Sequence, residues 1–276
     1  DTQRRQAVAR AAAEQREAEG RRIGRRPLWQ RADPVDERAL AREAERLGRL
    51  LRTRFSRRWR RAQQGRVDLR ATVARAARTG GVPWRLVRRK RQIARPRLVL
   101  LCDVSGSVRR ASELLLRMVH ELGRLSDRPA GFVFVDRPVS ATPLLRHTDF
   151  DDALDELDEL AGLDRQALSD FGHVFTKLLS DHAELFGPRT CLVVLGDARC
   201  NRFDPASWAL ADLARRCARV IWLNPERRTR WYTGDSALAA YAAHVDHLLP
   251  AETLDELAAG LAAALTAGSL GPRIGP

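Results

Sequence analysis

Apolar positions change their spacing near residue 97. Before it they recur at helical intervals. Leu40, Leu47, Leu50, Leu51 and Phe55 follow a Pro34 start with Asp36 and Glu37 in the first turn, which predicts an amphipathic helix. Arg57, Arg58, Arg60 and Arg61 close it, where the helix dipole favours cations. Residues 1–22 have helix-forming composition but almost no apolar face, and read as a solvated helix broken between Gly20 and Pro27. A further helix is predicted from Asp68 to Arg78, stopped by Gly80 and Gly81, with residues 84–92 a basic connector.

After residue 97, short apolar runs alternate with helical patterns. Leu98-Val99-Leu100-Leu101-Cys102 is too short for a helix and apolar throughout, as a strand buried on both faces must be. Strands are also predicted over residues 131–135, 191–195, 220–223 and 244–249. Helices are predicted between them over residues 108–125, 150–163, 171–185, 205–217 and 252–266. The helix at 150–163 turns Leu154, Leu157 and Leu160 inward and its acids outward. Those acids lack the spacing of a calcium loop and read as a solvated face. The alternation predicts an α/β fold with a doubly wound, mainly parallel sheet. A basic, mainly α-helical region, residues 1–96, precedes the sheet domain of residues 97–276.

Charge follows the same boundary. Residues 1–97 carry 30 Lys and Arg against 10 Asp and Glu, and the rest 19 against 25, so a net charge of +14 conceals a basic front half and a mildly acidic back half. The four cysteines, Cys102, Cys191, Cys200 and Cys217, show no C-x-x-C spacing, and two lie in or beside buried strands. They read as reduced packing thiols of a cytoplasmic protein. No apolar run approaches the roughly 20 residues that a membrane span needs. No signal peptide is apparent, although the chain begins at Asp1 rather than Met.

The chemistry gathers where the first apolar strand ends. Asp103-Val104-Ser105-Gly106-Ser107 places a carboxylate and two hydroxyls in a tight turn. These are hard oxygen donors, suited to Mg²⁺ or Mn²⁺ rather than zinc. The plainer alternative is a helix N-cap in which the serines satisfy backbone N–H groups. In a doubly wound sheet, ligands collect at the carboxyl ends of strands. Two further loops offer oxygen there, through Ser169 and through Asp197.

Asp103-x-Ser105-x-Ser107 after an apolar strand resembles the metal-ion-dependent adhesion site of a von Willebrand factor A (VWA) domain, a Rossmann-like fold. The resemblance implies Asp103, Ser105, Ser107, Ser169 and Asp197 as metal ligands, with one position left for an acidic side chain of a partner. The family usually has threonine after glycines at the middle position, whereas Ala167 and Leu168 precede Ser169 here. Asp170 is expected to cap the following helix, and His173 to pack or hydrogen-bond rather than bind metal.

Asp68-Leu69-Arg70, Phe134-Val135-Asp136-Arg137, Ser169-Asp170-Phe171-Gly172, Gly196-Asp197-Ala198-Arg199 and Trp222-Leu223-Asn224-Pro225-Glu226 narrow the likeness. With Trp231, Gly234-Asp235-Ser236 and Tyr241, they resemble the CoxE-like VWA proteins over roughly residues 66–250. That likeness implies a non-enzymatic, Mg²⁺-dependent adaptor for a MoxR-type AAA+ ATPase and a client protein, in metalloenzyme maturation or remodelling of complexes. The competing reading is nucleic-acid binding through the basic half, with Trp29, Trp59 and Trp84 as stacking groups. Against it, the apolar stripe of that half demands a packing partner. A hydrolase is disfavoured, because no G-x-x-x-x-G-K-[ST] phosphate loop and no second acidic pair accompany Asp103.

Overall fold

The computed structural model of the chain describes residues 18–28, 33–64, 66–67, 69–77, 88–89, 97–106, 108–122, 129–146, 150–152 and 168–267, with isolated positions elsewhere. Helices α1 (Pro34–Gln64) and α2 (Leu69–Ala76) come first, with β1 (Arg66–Val67) and β2 (Arg88–Arg89) paired antiparallel. Then follow β3 (Arg97–Asp103), α3 (Arg109–Leu122), β4 (Ala130–Phe134) and β5 (Pro138–Ser140). The chain continues through α4 (Phe171–Asp181), β6 (Thr190–Leu195), α5 (Ser207–Arg216) and β7 (Arg219–Asn224). It ends with α6 (Leu238–Ala242), β8 (His247–Pro250) and α7 (Leu254–Ala267).

One sheet runs in the order β5-β4-β3-β6-β7-β8, parallel throughout except at β5. The chain winds outward from β3 to β4 and β5, then returns to β6 on the other side of β3. That reversal opens a crevice at the carboxyl ends of β3 and β6, the place where doubly wound sheets bind ligands.

The strands divide the core by alternation. Leu98, Leu100 and Cys102 of β3, Cys191, Val193 and Leu195 of β6, and Ile221 and Leu223 of β7 pack with α1, α3 and α7. Val99 and Leu101, Leu192 and Val194, and Val220 and Trp222 pack on the opposite face with α4, α5 and α6. Such strands show an unbroken apolar run because both faces are covered. All four cysteines are free and buried.

α1 lies on the first face. Its Leu40, Ala44 and Leu51 join the same apolar cluster as β3 and α3. Contact is close because a Cβ on Gly48 would come within 2.7 Å of the Met118 carbonyl oxygen and of Glu121 Cβ. Ion pairs of both polarities flank the crossing: Arg49 with Glu121 at 3.0 Å, Arg117 with Glu45 at 3.0 Å, and Arg110 with Glu37. Partly exposed pairs of this kind contribute about 0–1 kcal/mol each, against about 2 kcal/mol for burying one leucine, so apolar packing holds the helix down. Upstream, Pro27 bridges to Thr253, and the Leu28 N–H donates to the Glu252 carbonyl at 2.7 Å, tying the segment before α1 to the start of α7.

Several expectations need correction. Helical backbone runs on through Gly20 to Gly24, so the expected break falls in the later part of its stretch, from Arg25, and Gly20 sits close to the Glu43 carboxylate, where a Cβ would stand 2.9 Å from its oxygen. α1 continues past its arginine cluster to Gln64. β5 was unforeseen: three residues with one apolar side chain carry no alternation signal, and its proline is tolerated on an edge. α4 stops at Asp181 and passes into a 3₁₀ turn at Ala183–Leu185. The last strand begins only at His247, since the short helix α6 and its turn occupy the residues before it. Most of the acidic helix at 150–163, the stop at Gly80 and Gly81, Trp29 and Trp84 lie outside the described residues, as does the side chain of Trp59. No helix among the described residues is long and apolar enough to cross a membrane.

Candidate metal centre

Asp103 is the last residue of β3, with the parity of Val99 and Leu101. Its carboxylate is wholly buried, and one oxygen accepts the Ser105 N–H at 2.8 Å, closing a local turn. Asp197, after β6, does the same with the Arg199 N–H at 3.1 Å. Asn224, at the end of β7, repeats the device with the Glu226 N–H at 2.8 Å. Three adjacent strands thus end in the same turn, but only the first two, on either side of the crevice, carry charge.

The middle loop closes the group. The Ser169 hydroxyl lies 3.4 Å from one Asp103 oxygen and 3.5 Å from the other. The Asp170 N–H donates to the Val135 carbonyl at 3.0 Å, which docks the loop on the end of β4. Asp170 caps α4, accepting the His173 N–H at 2.9 Å, while His173 itself is exposed. Asp103, Ser105, Ser169 and Asp197 therefore meet at one edge. Ser107 lies outside the described residues.

Electrostatics mark the site. Burial, and next the charge of Asp197, push the Asp103 carboxyl up to about 7, against the hydrogen bonds from Ser105 and Ser169. Among the described residues no Lys, Arg or His pairs with Asp103. Two carboxylates and a hydroxyl converge here without a neutralising side chain on Asp103, and they are hard oxygens. This donor set fits a small divalent cation of the Mg²⁺ type. No group of three or more His, Cys, Asp and Glu able to hold a metal occurs among the described residues.

A sequence profile described as "VWA domain containing CoxE-like protein" matches residues 37–257. The chain belongs to this CoxE-like VWA family. The matched region begins inside α1, so it takes in the helix that covers one face of the sheet. No curated protein matches the chain in sequence. Among solved structures, an aerotolerance-related membrane protein from Bacteroides fragilis NCTC 9343, with multiple mutations to serines, is similar over 63% of this chain and 98% of that one, at 14% identity and a TM-score of 0.41.

In this CoxE-like protein the loops are pinned by aromatic side chains that sequence reading did not single out for that role. Phe171, directly after Ser169 and Asp170, packs edge-on to Phe134 at 4.9 Å and stacks on Trp222 at 5.6 Å. A Cβ on Gly196 would come within 2.7 Å of the Phe171 ring and 3.2 Å of Asp103 Cβ, so glycine lets the third loop close on the first. Trp222 donates its indole N–H to the Gly196 carbonyl at 2.8 Å. Tyr241 stacks on Trp222 at 5.2 Å and donates its hydroxyl to the Pro205 carbonyl at 2.8 Å.

The loop after Asp197 is strained. Ala198, Asn201, Arg202 and Ala206 all have positive φ, between 40° and 68°. The left-handed region costs a non-glycine residue about 1–2 kcal/mol, so the surroundings must impose it. Arg199 supplies one constraint: it grips Glu226 at 2.7 Å and Asp235 at 2.7 Å, and holds Asp235 below the usual carboxylate range. Asn201 supplies another, donating its side-chain N–H to the Ser169 carbonyl at 3.1 Å and so joining two loops of the site. An asparagine shortly after a strand-ending Gly-Asp is the weak sequence signal that marked it, since asparagine tolerates the left-handed region better than most residues.

Proposed function

We propose that the crevice between β3 and β6 holds Mg²⁺ or Mn²⁺ and that the protein is a metal-dependent adaptor for other proteins. The observation carrying this reading is a wholly buried Asp103 carboxylate set against Asp197 and Ser169, with no cationic side chain paired to Asp103 among the described residues. Asp103, Ser105, Ser169 and Asp197 would hold the ion, with Ser107 by its place in the D-x-S-x-S sequence. Bound there, a divalent cation supplies an electrophilic centre for one further carboxylate. Asp103 and Asp197 only neutralise such an ion, so a partner's acidic side chain can be accepted without accumulating repulsion. Membership of the CoxE-like family supports a protein-binding role over a catalytic one. We assign the partners as a MoxR-type AAA+ ATPase and a client that supplies the acidic residue.

The test has two readouts. Isothermal titration with Mg²⁺ should give weak binding to the wild-type chain and none to Asp103→Ala. Capture of a MoxR-type AAA+ ATPase should fall with EDTA and with Ser105→Ala or Asp197→Ala. Equal heats in wild type and variant, or capture indifferent to all these treatments, would overturn the metal bridge.

A further inference from the structure

We infer that Glu226 and Asp235 hold the Arg199 guanidinium away from Asp197, so that an ion from solution rather than a side chain occupies the candidate metal centre. The inference rests on the metal reading above and concerns what reserves that site for an ion. Arg199 stands two residues after Asp197, and its backbone N–H donates to the Asp197 carboxylate at 3.1 Å. An arginine so placed is a ready counter-charge for that aspartate, and pairing with it would engage the oxygens that a metal needs. Its side chain goes elsewhere. Nη1 donates to Asp235 at 2.7 Å and to the Thr233 carbonyl at 3.3 Å. Nη2 meets both Glu226 oxygens, at 2.7 and 2.9 Å, and Nε reaches one of them at 3.3 Å. The charge of Asp197 also reaches the guanidinium, more weakly than the two carboxylates bonded to it.

The surroundings keep the arginine there. Asn224 accepts the Glu226 N–H at 2.8 Å, and the Trp231 indole N–H donates to the Glu226 carbonyl at 2.7 Å, so the main carboxylate partner is itself fixed. Residues 198–200 run beside 235–237. Arg199 bridges antiparallel to Ser236, the Ala237 N–H donates to the Ala198 carbonyl at 2.8 Å, and the Cys200 N–H to the Asp235 carbonyl at 3.3 Å. Gly234, at a φ of 67°, leaves room for the guanidinium, since a Cβ there would lie 3.2 Å from Nη1. The side chains of Arg199, Glu226 and Asp235 are 19%, 13% and 30% exposed, so water screens their attraction little. Arg230 also reaches Glu226, at 3.0 Å, but its side chain is 62% exposed and is solvated without that pair. Gly196-Asp197-Ala198-Arg199, Asn224-Pro225-Glu226 and Gly234-Asp235-Ser236, three separate stretches of sequence, thereby form one device.

The experiment measures Mg²⁺ affinity by isothermal titration of the full chain carrying Glu226→Gln and Asp235→Asn, which remove both charges and keep the acceptor oxygens. Arg199, released toward Asp197, should compete with the ion and weaken binding by about tenfold or more. Adding Arg199→Gln to the double variant should restore affinity to within about threefold of wild type. A merely structural role predicts no such rescue, because losing the arginine would loosen the loop further. Affinity unchanged in the double variant, or still lost in the triple one, would overturn the inference and leave the metal reading in place. If the double variant does not fold, Glu226→Gln alone and with Arg199→Gln gives the same comparison at a smaller loss. If wild type takes up no Mg²⁺, the metal reading fails, and a crystal structure of the variant grown in EDTA decides the hold on Arg199. A guanidinium bonded to the Asp197 carboxylate there upholds that hold, and a guanidinium anywhere else overturns it.

Discussion

On one face of the sheet, Leu98, Leu100, Val193, Leu195, Ile221 and Leu223 meet the aliphatic sides of α1, α3 and α7. On the other, Phe132, Phe134, Phe171, Phe175, Trp222 and Tyr241 fill the space below α4, α5 and α6. Both faces bury their side chains, yet they do different things. Aliphatic contacts are non-directional and hold a helix against a sheet wherever shape allows. Trp222 and Tyr241 also carry one polar atom each, spent on the Gly196 and Pro205 carbonyls of the loop that bears Asp197. The aliphatic face stabilises the fold, and the aromatic face additionally fixes the position of the site.

Large truncations test this contrast most sharply. Trp222→Ala should cost about 3–5 kcal/mol in denaturant unfolding, and Leu115→Ala, buried in the aliphatic cluster, about 2–5 kcal/mol. Only the tryptophan variant should lose Mg²⁺ affinity when titrated under conditions where both remain folded. Equal loss of affinity in the two would abolish the distinction between the faces.

A smaller effect of opposite sign is expected at the site. Asp103→Asn removes a buried charge while keeping an oxygen for the Ser105 N–H. The metal-free variant should be about 1–3 kcal/mol more stable than wild type above pH 7. With the Asp103 carboxyl pushed up to about 7, wild type carries the ionised form above that pH and the protonated form below it. The gain should therefore shrink as the pH falls from 7 toward the ordinary aspartate range. Added Mg²⁺ should stabilise only the wild type. A variant less stable than wild type in EDTA at pH 8 would show that the carboxylate is not the burden inferred here.

The smallest expected effects separate the two faces by their polar contacts. Tyr241→Phe keeps the ring and loses the bond to Pro205, at about 1 kcal/mol, and should weaken Mg²⁺ binding. Arg49→Ala breaks the partly exposed pair with Glu121, at about 0–1 kcal/mol, and should leave Mg²⁺ binding unchanged. Metal titrations that respond to Arg49→Ala as strongly as to Tyr241→Phe would show that the faces are coupled.

Much of this arrangement is local and therefore written in the chain. The runs 98–102, 191–195 and 220–223 announce strands covered on both faces, because only such strands can be apolar at every position. Asp103 and Asp197 declare themselves by following those runs, and Asp170 by preceding a helix, since an N-cap acts over three residues. Placement across the sheet was decided elsewhere. Whether β6 returns beside β3 depends on pairing between residues some ninety positions apart, and that return alone brings Asp197 to Asp103. The grip of Asn201 on Ser169, the seat of Gly196 on Phe171, and the reach of Trp222 and Tyr241 to the loop backbone are contacts between separate elements, with no periodicity to betray them. Sequence determined which oxygen-bearing side chains follow the buried strands. Only the folded sheet decided which of them meet, because that depends on long-range pairing and packing that no local pattern encodes.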